Sequence, residues 1–196
     1  NMLTLCIDTS YKILSVSLIE NGKLIAYEEK ECFKRQSEEV FCFIDKLNKE
    51  NNNRIYDIDS ICVAKGPGSY TGIRIAMTIA KVIAAVKHID LYTISTLALY
   101  AGNKDKTLVL INARADRAYV GIYDKGQAIQ EDNVLALENI KADGLNIIGD
   151  GSLIGKEDHY ECIAKCFEAT FNSRHKEENP DYLVPDYLKE SKSYLK

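Results

Sequence analysis

A glycine-rich turn is the feature that most constrains how this chain can fold. Residues 66–72 read GPGSYTG and lie between a short apolar run at 60–64 and a helix-like segment at 73–87. Glycine adopts backbone angles that other residues avoid, so this composition favours a tight strand-to-helix connection. Backbone N–H groups at such a turn, together with a helix N-terminus, can also hold an anion. The local residues leave both interpretations open.

The turn does not match the P-loop of nucleotide-binding proteins. That motif ends in Gly-Lys followed by Ser or Thr, whereas Thr71 and Gly72 stand where its glycine and lysine would be. A second candidate follows the first apolar run, where an aspartate could organise a hydrated magnesium ion or simply end the strand in a polar turn. The predicted phosphate or nucleotide contacts are Asp8, Ser10, Gly68, Ser69 and Thr71.

Hydrophobic periodicity divides the chain into strands and helices. Strands are predicted at 3–8, 13–20, 23–31, 60–64, 91–94, 108–112, 118–123 and 145–148. Helices are predicted at 36–50, 73–87, 95–100 and 158–169, while 172–196 shows no firm period. Asn21-Gly22 predicts a tight hairpin between the second and third strands. The order predicts an α/β protein of two related lobes, residues 1–102 and 103–196, the second ending in a polar tail.

Composition and charge are those of an ordinary globular protein. Apolar residues make up 46% and charged residues 28% of 196 residues, and the formal net charge is −4. That charge argues against a broad basic face for nucleic acid, although a small local patch stays open. No apolar run approaches the roughly 18–20 residues needed to span a bilayer. The first residues also lack a signal-peptide pattern, so the sequence predicts a cytoplasmic protein.

The cysteines and histidines predict neither a metal site nor a catalytic set. The six cysteines include no CxxC pair, and several lie in apolar runs where free cysteine packs as a small hydrophobe. The three histidines lie far apart, with no HExxH or His-x3-His spacing. Ser69 has no GxSxG context. We therefore assign no catalytic residue and no metal ligand.

Three further segments have two interpretations each. Residues 112–117, between two predicted strands, carry two arginines that could bind an anion or a partner, or form a solvated turn. Residues 149–155 half-resemble a dinucleotide fingerprint, with a plain turn as the alternative. The alanine-rich helix at 73–87 could pack against the sheet or form a subunit interface.

Taken together, these segments resemble the TsaB family, also called YeaZ. The resemblance rests on LCIDTS at 5–10, GPGSYTGIRIA at 66–76, ISTL at 94–97, NAR at 112–114, GDG at 149–151 and PDYLK at 185–189. It implies an α/β, actin-like and sugar-kinase-like (ribonuclease H-like) two-lobed fold with a reduced C-terminal lobe. It also implies an accessory, non-catalytic subunit needed for threonylcarbamoyl transfer to the adenosine beside the anticodon in tRNA.

The resemblance further implies the partners of the chain. These are a TsaD homologue in a heterodimer, a TsaE-like ATPase, and tRNA reached indirectly through the complex; without its partner the chain could form a homodimer. No cofactor is expected to bind tightly, and ATP or ADP would bind weakly. Mapping the interface helices of the family onto this sequence predicts contacts at Glu38, Phe41, Ile44, Ile73, Ala76, Met77, Ala80 and Ala84. The alternatives are an autonomous ATP-binding phosphotransferase or ATPase of the actin-like superfamily and, with less support, a peptidase.

Overall fold

The computed structural model of the chain describes residues 2–188. The strands are β1 (Leu3–Asp8), β2 (Ile13–Glu20), β3 (Lys23–Glu31), β4 (Ser60–Ala64), β5 (Asp90–Ile94), β6 (Thr107–Arg114), β7 (Arg117–Asp124), β8 (Gln127–Ala136), β9 (Asn146–Gly149) and β10 (His175–Lys176). The helices are α1 (Gln36–Glu50), α2 (Tyr70–Lys87), α3 (Thr96–Ala101) and α4 (Ile163–Ala169). Lys189, the last residue of the PDYLK segment, lies outside the described residues.

The strands form two sheets with related topology. The first has the order β10-β5-β4-β1-β2-β3 and the second the order β8-β7-β6-β9. In each sheet three antiparallel strands are followed by a fourth strand parallel to the first of them, β4 beside β1 and β9 beside β6. The second sheet stops there, whereas β5 extends the first. This repeated topology confirms the predicted two-lobed α/β fold with a reduced second lobe.

Apolar side chains between these layers form the core. One cluster packs α1 and α2 against the first sheet, and a second joins both sheets to α3 and α4. Strand β10 comes from the second half of the chain but pairs antiparallel with β5 of the first sheet. The division at residues 102 and 103 stays a prediction. None of the helices within residues 2–188 is both long and apolar enough to cross a membrane.

Most of the predicted elements are confirmed. The hairpin forms at Asn21 and Gly22, whose φ angles of 49° and 80° suit a two-residue turn between Glu20 and Lys23. Helix α2 begins at Tyr70 and is therefore longer than predicted.

In the second lobe one strand was missed and one helix was predicted too long. Strand β8 was not predicted because the first half of its sequence is mostly polar and exposed, as suits the edge strand of a sheet. Helix α4 is shorter than the predicted 158–169, since His159 pairs with Gly149 as an isolated β-bridge and the helix starts only at Ile163.

Candidate functional site

The glycine-rich turn packs directly against the segment that follows β1. A β-carbon added at Gly68 would lie 2.3 Å from the carbonyl oxygen of Ser10. One added at Gly72 would lie 2.3 Å from the carbonyl oxygen of Thr9. The Ser69 N–H also donates to the Ser10 carbonyl at 2.8 Å. These two glycines therefore allow two backbone segments to approach more closely than any side chain would permit.

The start of α2 is tied to the same segment. The Thr9 hydroxyl donates to the Gly72 carbonyl at 2.6 Å, and its oxygen accepts from the Ala76 N–H at 3.0 Å. Ser69 is the N-cap, and its Oγ accepts from the Gly72 N–H at 3.1 Å. The turn thus fixes the helix against the end of β1, which supports the structural interpretation of the motif.

The C-terminal segment covers the other side of the turn. Gly66 has a φ of 103°, and a β-carbon there would lie 2.7 Å from the carbonyl oxygen of Asp186. The Asp186 N–H donates to the Lys65 carbonyl at 2.8 Å. The Tyr187 ring stacks on the Tyr70 ring with the centroids 4.7 Å apart. This part of the polar tail therefore docks onto the first lobe.

Asp8 is fully buried under the turn, and its carboxylate is occupied by protein donors. One oxygen accepts from the N–H and the hydroxyl of Ser10, and the other accepts from the Tyr100 hydroxyl at 3.0 Å. Burial raises the pKa of Asp8 from 3.8 to about 6, against the opposing effect of these hydrogen bonds. Asp8 and Ser10, two of the five predicted phosphate contacts, therefore lie beneath the surface.

The raised pKa gives a stability prediction with a defined sign. The folded chain holds the Asp8 proton more tightly than the unfolded chain, so the stability of the wild type falls as the pH rises from about 4 to about 6. An Asp8→Asn variant does not titrate there, so we expect its stability relative to the wild type to rise by up to about 3 kcal/mol between pH 4 and pH 7.5.

Urea unfolding of both proteins at pH 7.5 and pH 4 measures this difference. Asp143→Asn, at an exposed aspartate, is the control and should change the stability by less than about 0.5 kcal/mol at either pH. A relative stability that is the same at pH 4 and pH 7.5 would show that the fold does not raise the pKa of Asp8.

A cleft of about 910 Å³ opens above Asp8. Its walls are the glycine-rich turn, the segment after β1, the connection between β3 and α1, and residues at the end of β6 and near the start of β7. The other three predicted phosphate contacts, Gly68, Ser69 and Thr71, line it. Arg114, from the predicted arginine turn, lines the opposite wall. The fold therefore brings together motifs that lie more than 40 residues apart in the sequence.

A buried carboxylate joins the two sides of this cleft. Asp150 accepts from Lys12 Nζ at 2.8 Å, from the Asn112 N–H at 2.9 Å, and from the hydroxyls of Tyr11 and Tyr160. Burial alone would raise the pKa of Asp150, but the hydrogen bonds from Lys12 and the two tyrosines hold it below its ordinary value. Asp150 stays ionised and connects the segment after β1 to the second sheet.

In the sequence this aspartate stands out only as part of a glycine-rich segment. The segment does not form a dinucleotide site, because the strand is followed by a short 3₁₀ helix at Gly151–Ile154 rather than an α-helix. The partners Tyr11, Lys12 and Tyr160 were missed. Tyr11 and Lys12 could have been found, since they come three and four residues after Asp8, at the edge where β1 and β4 end.

The predicted partner contacts divide into exposed and buried positions. Glu38 and Phe41 are exposed on α1, and Ile44 is half-buried. The five predicted positions on α2 lie in the core against the sheet: Ile73, Ala76, Met77, Ala80 and Ala84. The three small residues among them let α2 pack closely within the chain. A contact between any of the five and a partner stays a prediction. The large aliphatic residues that α2 exposes are Val82 and Val86.

Metal-binding side chains do not cluster in the described part of the chain. Within residues 2–188, no three His, Cys, Asp or Glu side chains form a group that could hold a metal ion. All six cysteines are free thiols.

Comparison with known proteins identifies relatives across most of the chain. The family model described as "TsaD: tRNA N6-adenosine threonylcarbamoyltransferase" matches residues 30–144, more than half of the chain. The tRNA threonylcarbamoyladenosine biosynthesis protein TsaB of Bacillus subtilis is 32% identical over 151 residues, which cover 75% of this chain and 66% of that protein. The TsaB protein of Escherichia coli is 26% identical over 132 residues, which cover 64% of this chain and 57% of that protein. This chain therefore spans about three fifths to two thirds of the length of these curated relatives.

A solved structure agrees with the fold. YeaZ from Pseudomonas aeruginosa superposes with a TM-score of 0.80 at 20% sequence identity, and the match covers 96% of this chain and all of that one. The family of these sequence relatives is the one that the motifs at 5–10, 66–76 and 149–151 resemble. The chain belongs to the TsaB (YeaZ) family, within the broader group that the TsaD family model describes.

Proposed function

We propose that this chain is a non-catalytic subunit in the biosynthesis of threonylcarbamoyladenosine in tRNA, and that it acts by binding and activating a TsaD homologue. The similarity to curated TsaB proteins carries the proposal. The occupied Asp8 carboxylate supports it, because an actin-like phosphotransferase would need that group for its metal and phosphates. A TsaE-like ATPase would join the pair, and the chain would work in the cytoplasm. Weak binding of ATP or ADP at residues 68–71 stays a prediction.

The exposed faces of α1 and α2 are the surface we assign to the partner. These two helices pack beside each other on the first sheet. Phe41 is 63% exposed, Val82 is 57% exposed and Val86 is 74% exposed. Large apolar residues exposed on two adjoining helices mark a candidate surface for a protein partner. The same surface would serve a homodimer when the partner is absent.

Charge placed on this surface should abolish the complex. We expect Phe41→Asp and Val82→Asp each to weaken the affinity for the cognate TsaD homologue at least about tenfold, because a carboxylate would be buried without a partner. The matched control is Ile129→Asp on β8, which is 59% exposed on the other sheet and should bind like the wild type. Co-purification and analytical ultracentrifugation measure the complex.

Activity gives the second measurement. The chain alone should transfer no threonylcarbamoyl group, whereas its addition to the TsaD homologue, with tRNA and threonylcarbamoyl-adenylate, should raise the rate of transfer. The two interface variants should fail to stimulate, and the Ile129→Asp variant should stimulate fully. Transfer by the chain alone, or a partner that neither binds nor responds, would contradict the proposed function.

A further inference from the structure

The cleft above Asp8 carries positive charge that the function proposed above leaves unused. Lys12, Lys34 and Arg114 line it, and no aspartate or glutamate is among the described lining residues. Lys12 is paired with the buried Asp150. Within residues 2–188, neither Lys34 nor Arg114 forms an ion pair with a carboxylate. On a chain with a net charge of −4, this is a local basic patch.

Aromatic rings alternate with these cations. Lys34 Nζ lies 5.7 Å from the centroid of the Phe33 ring, and Lys12 Nζ lies 5.4 Å from that of Tyr11. Phe33 is 38% exposed, so its ring is available to a ligand in the cleft. Phe33 is also held in place by an edge-on contact with Tyr11, with the centroids 5.8 Å apart.

A second aromatic wall lies across the cleft. Tyr70, which is 57% exposed, stacks on the Tyr187 ring and has the guanidinium group of Arg74 5.6 Å from its centroid. The rings are therefore positioned before any ligand arrives, which reduces the entropy lost on binding.

We propose that this cleft binds a single-stranded segment of RNA directly. Alternating cations and exposed rings match the chemistry of such a strand, in which phosphates follow one another and the unpaired bases stack on aromatic side chains. An acidic peptide would use the cations but not the rings, and duplex RNA presents no unstacked bases. Lys34 and Arg114 contact phosphates, and Phe33 receives a base. The binding of single-stranded RNA does not depend on the proposed function. The identification of that RNA as the anticodon loop of tRNA does.

The test uses the full chain and a fluorescein-labelled single-stranded RNA of about ten nucleotides, a length within the usual range for such sites. Fluorescence anisotropy is followed as a function of salt concentration. We expect the double variant Lys34→Gln/Arg114→Gln to reduce the slope of log Kobs against log salt by about 1.4, since each lost phosphate contact removes about 0.7. Phe33→Ala should weaken binding at least about fivefold.

Matched controls lie outside the cleft. Lys125→Gln changes a cation in the turn between β7 and β8. Lys125 has a φ of 50°, which resembles the φ of 63° at Arg114. Tyr56→Ala removes an aromatic ring that is 71% exposed elsewhere on the first lobe. Both controls should bind within about twofold of the wild type. Circular dichroism verifies that each variant is folded.

Two results would overturn the inference: no salt-dependent binding of the RNA, or equal RNA binding by the control and cleft variants. If the wild-type chain binds the RNA but not the TsaD homologue, only the proposed function is contradicted. If the wild-type chain binds the TsaD homologue and the cleft variants bind the RNA as the wild type does, only this inference is contradicted.

Discussion

Replacement of Gly72 by alanine is expected to destabilise the chain by about 3 kcal/mol or more, although alanine favours helices and Gly72 lies in the first turn of α2. The added β-carbon would lie 2.3 Å from the Thr9 carbonyl oxygen, a backbone atom that cannot rotate away. Either α2 or the segment after β1 must then move. That movement breaks the hydrogen bonds that the Thr9 hydroxyl makes to the helix.

Gly155→Ala is the control for this variant. Gly155 has a left-handed backbone conformation, with a φ of 75° and a ψ of 20°, and a β-carbon added there would have no atom within 4 Å. We therefore expect a cost of about 1 kcal/mol from backbone conformation alone. Urea unfolding at neutral pH compares the two proteins. Equal costs would show that close approach at the turn is not what requires glycine.

Replacement of Asp150 by asparagine is the second change with a large expected effect. It would leave Lys12 without its carboxylate and would place an amide N–H against groups that are themselves donors, Lys12 and the Tyr11 and Tyr160 hydroxyls. Loss of one member of a buried ion pair typically costs about 3–5 kcal/mol, and we expect about 3 kcal/mol here. Urea unfolding measures the loss, and hydrogen exchange of the Asn112 amide reports whether the two sides of the cleft separate.

The charge on Lys12 separates two explanations of that loss. If the unpaired ammonium group causes most of it, the double variant Asp150→Asn/Lys12→Met should recover part of the lost stability. Asp158→Asn, at an exposed aspartate that accepts from the Ser152 N–H, should cost less than about 1 kcal/mol. A double variant less stable than Asp150→Asn would indicate that Lys12 stabilises the cleft without Asp150.

The pH dependence of the stability provides a further distinction, because the pKa of one buried aspartate is raised and that of the other is lowered. The pKa of Asp150 is held below its ordinary value, so the stability it contributes is present above that value and is lost as the pH falls through the folded pKa. The stability difference between the wild type and Asp150→Asn should therefore shrink in acid. For Asp8, burial makes the ionised carboxylate the unfavourable form, so protonation in acid increases the stability of the folded chain.

The local elements of this protein and its family follow from the amino-acid sequence alone. The hairpin at Asn21 and Gly22, α1, and the strand–turn–helix unit around residues 66–72 reflect turn chemistry and periodicity, which depend on residues close together in the chain. The edge strand β8 was missed because its polar side chains carry no such pattern, and its pairing with β7 depends on tertiary context.

The face that each motif presents, and the groups that it contacts, depend on the tertiary structure. The alanines of α2 gave equal support to an interface and to internal packing, and the fold placed Ala76, Ala80 and Ala84 against the sheet. Asp150 became the junction of the cleft because the fold brings it to Tyr11, 139 residues away. Contacts at that separation depend on how two sheets are arranged, and no local pattern encodes that arrangement. The glycines at 66, 68 and 72 show both levels: the sequence predicts a tight turn, and the packed backbone explains why each must be glycine.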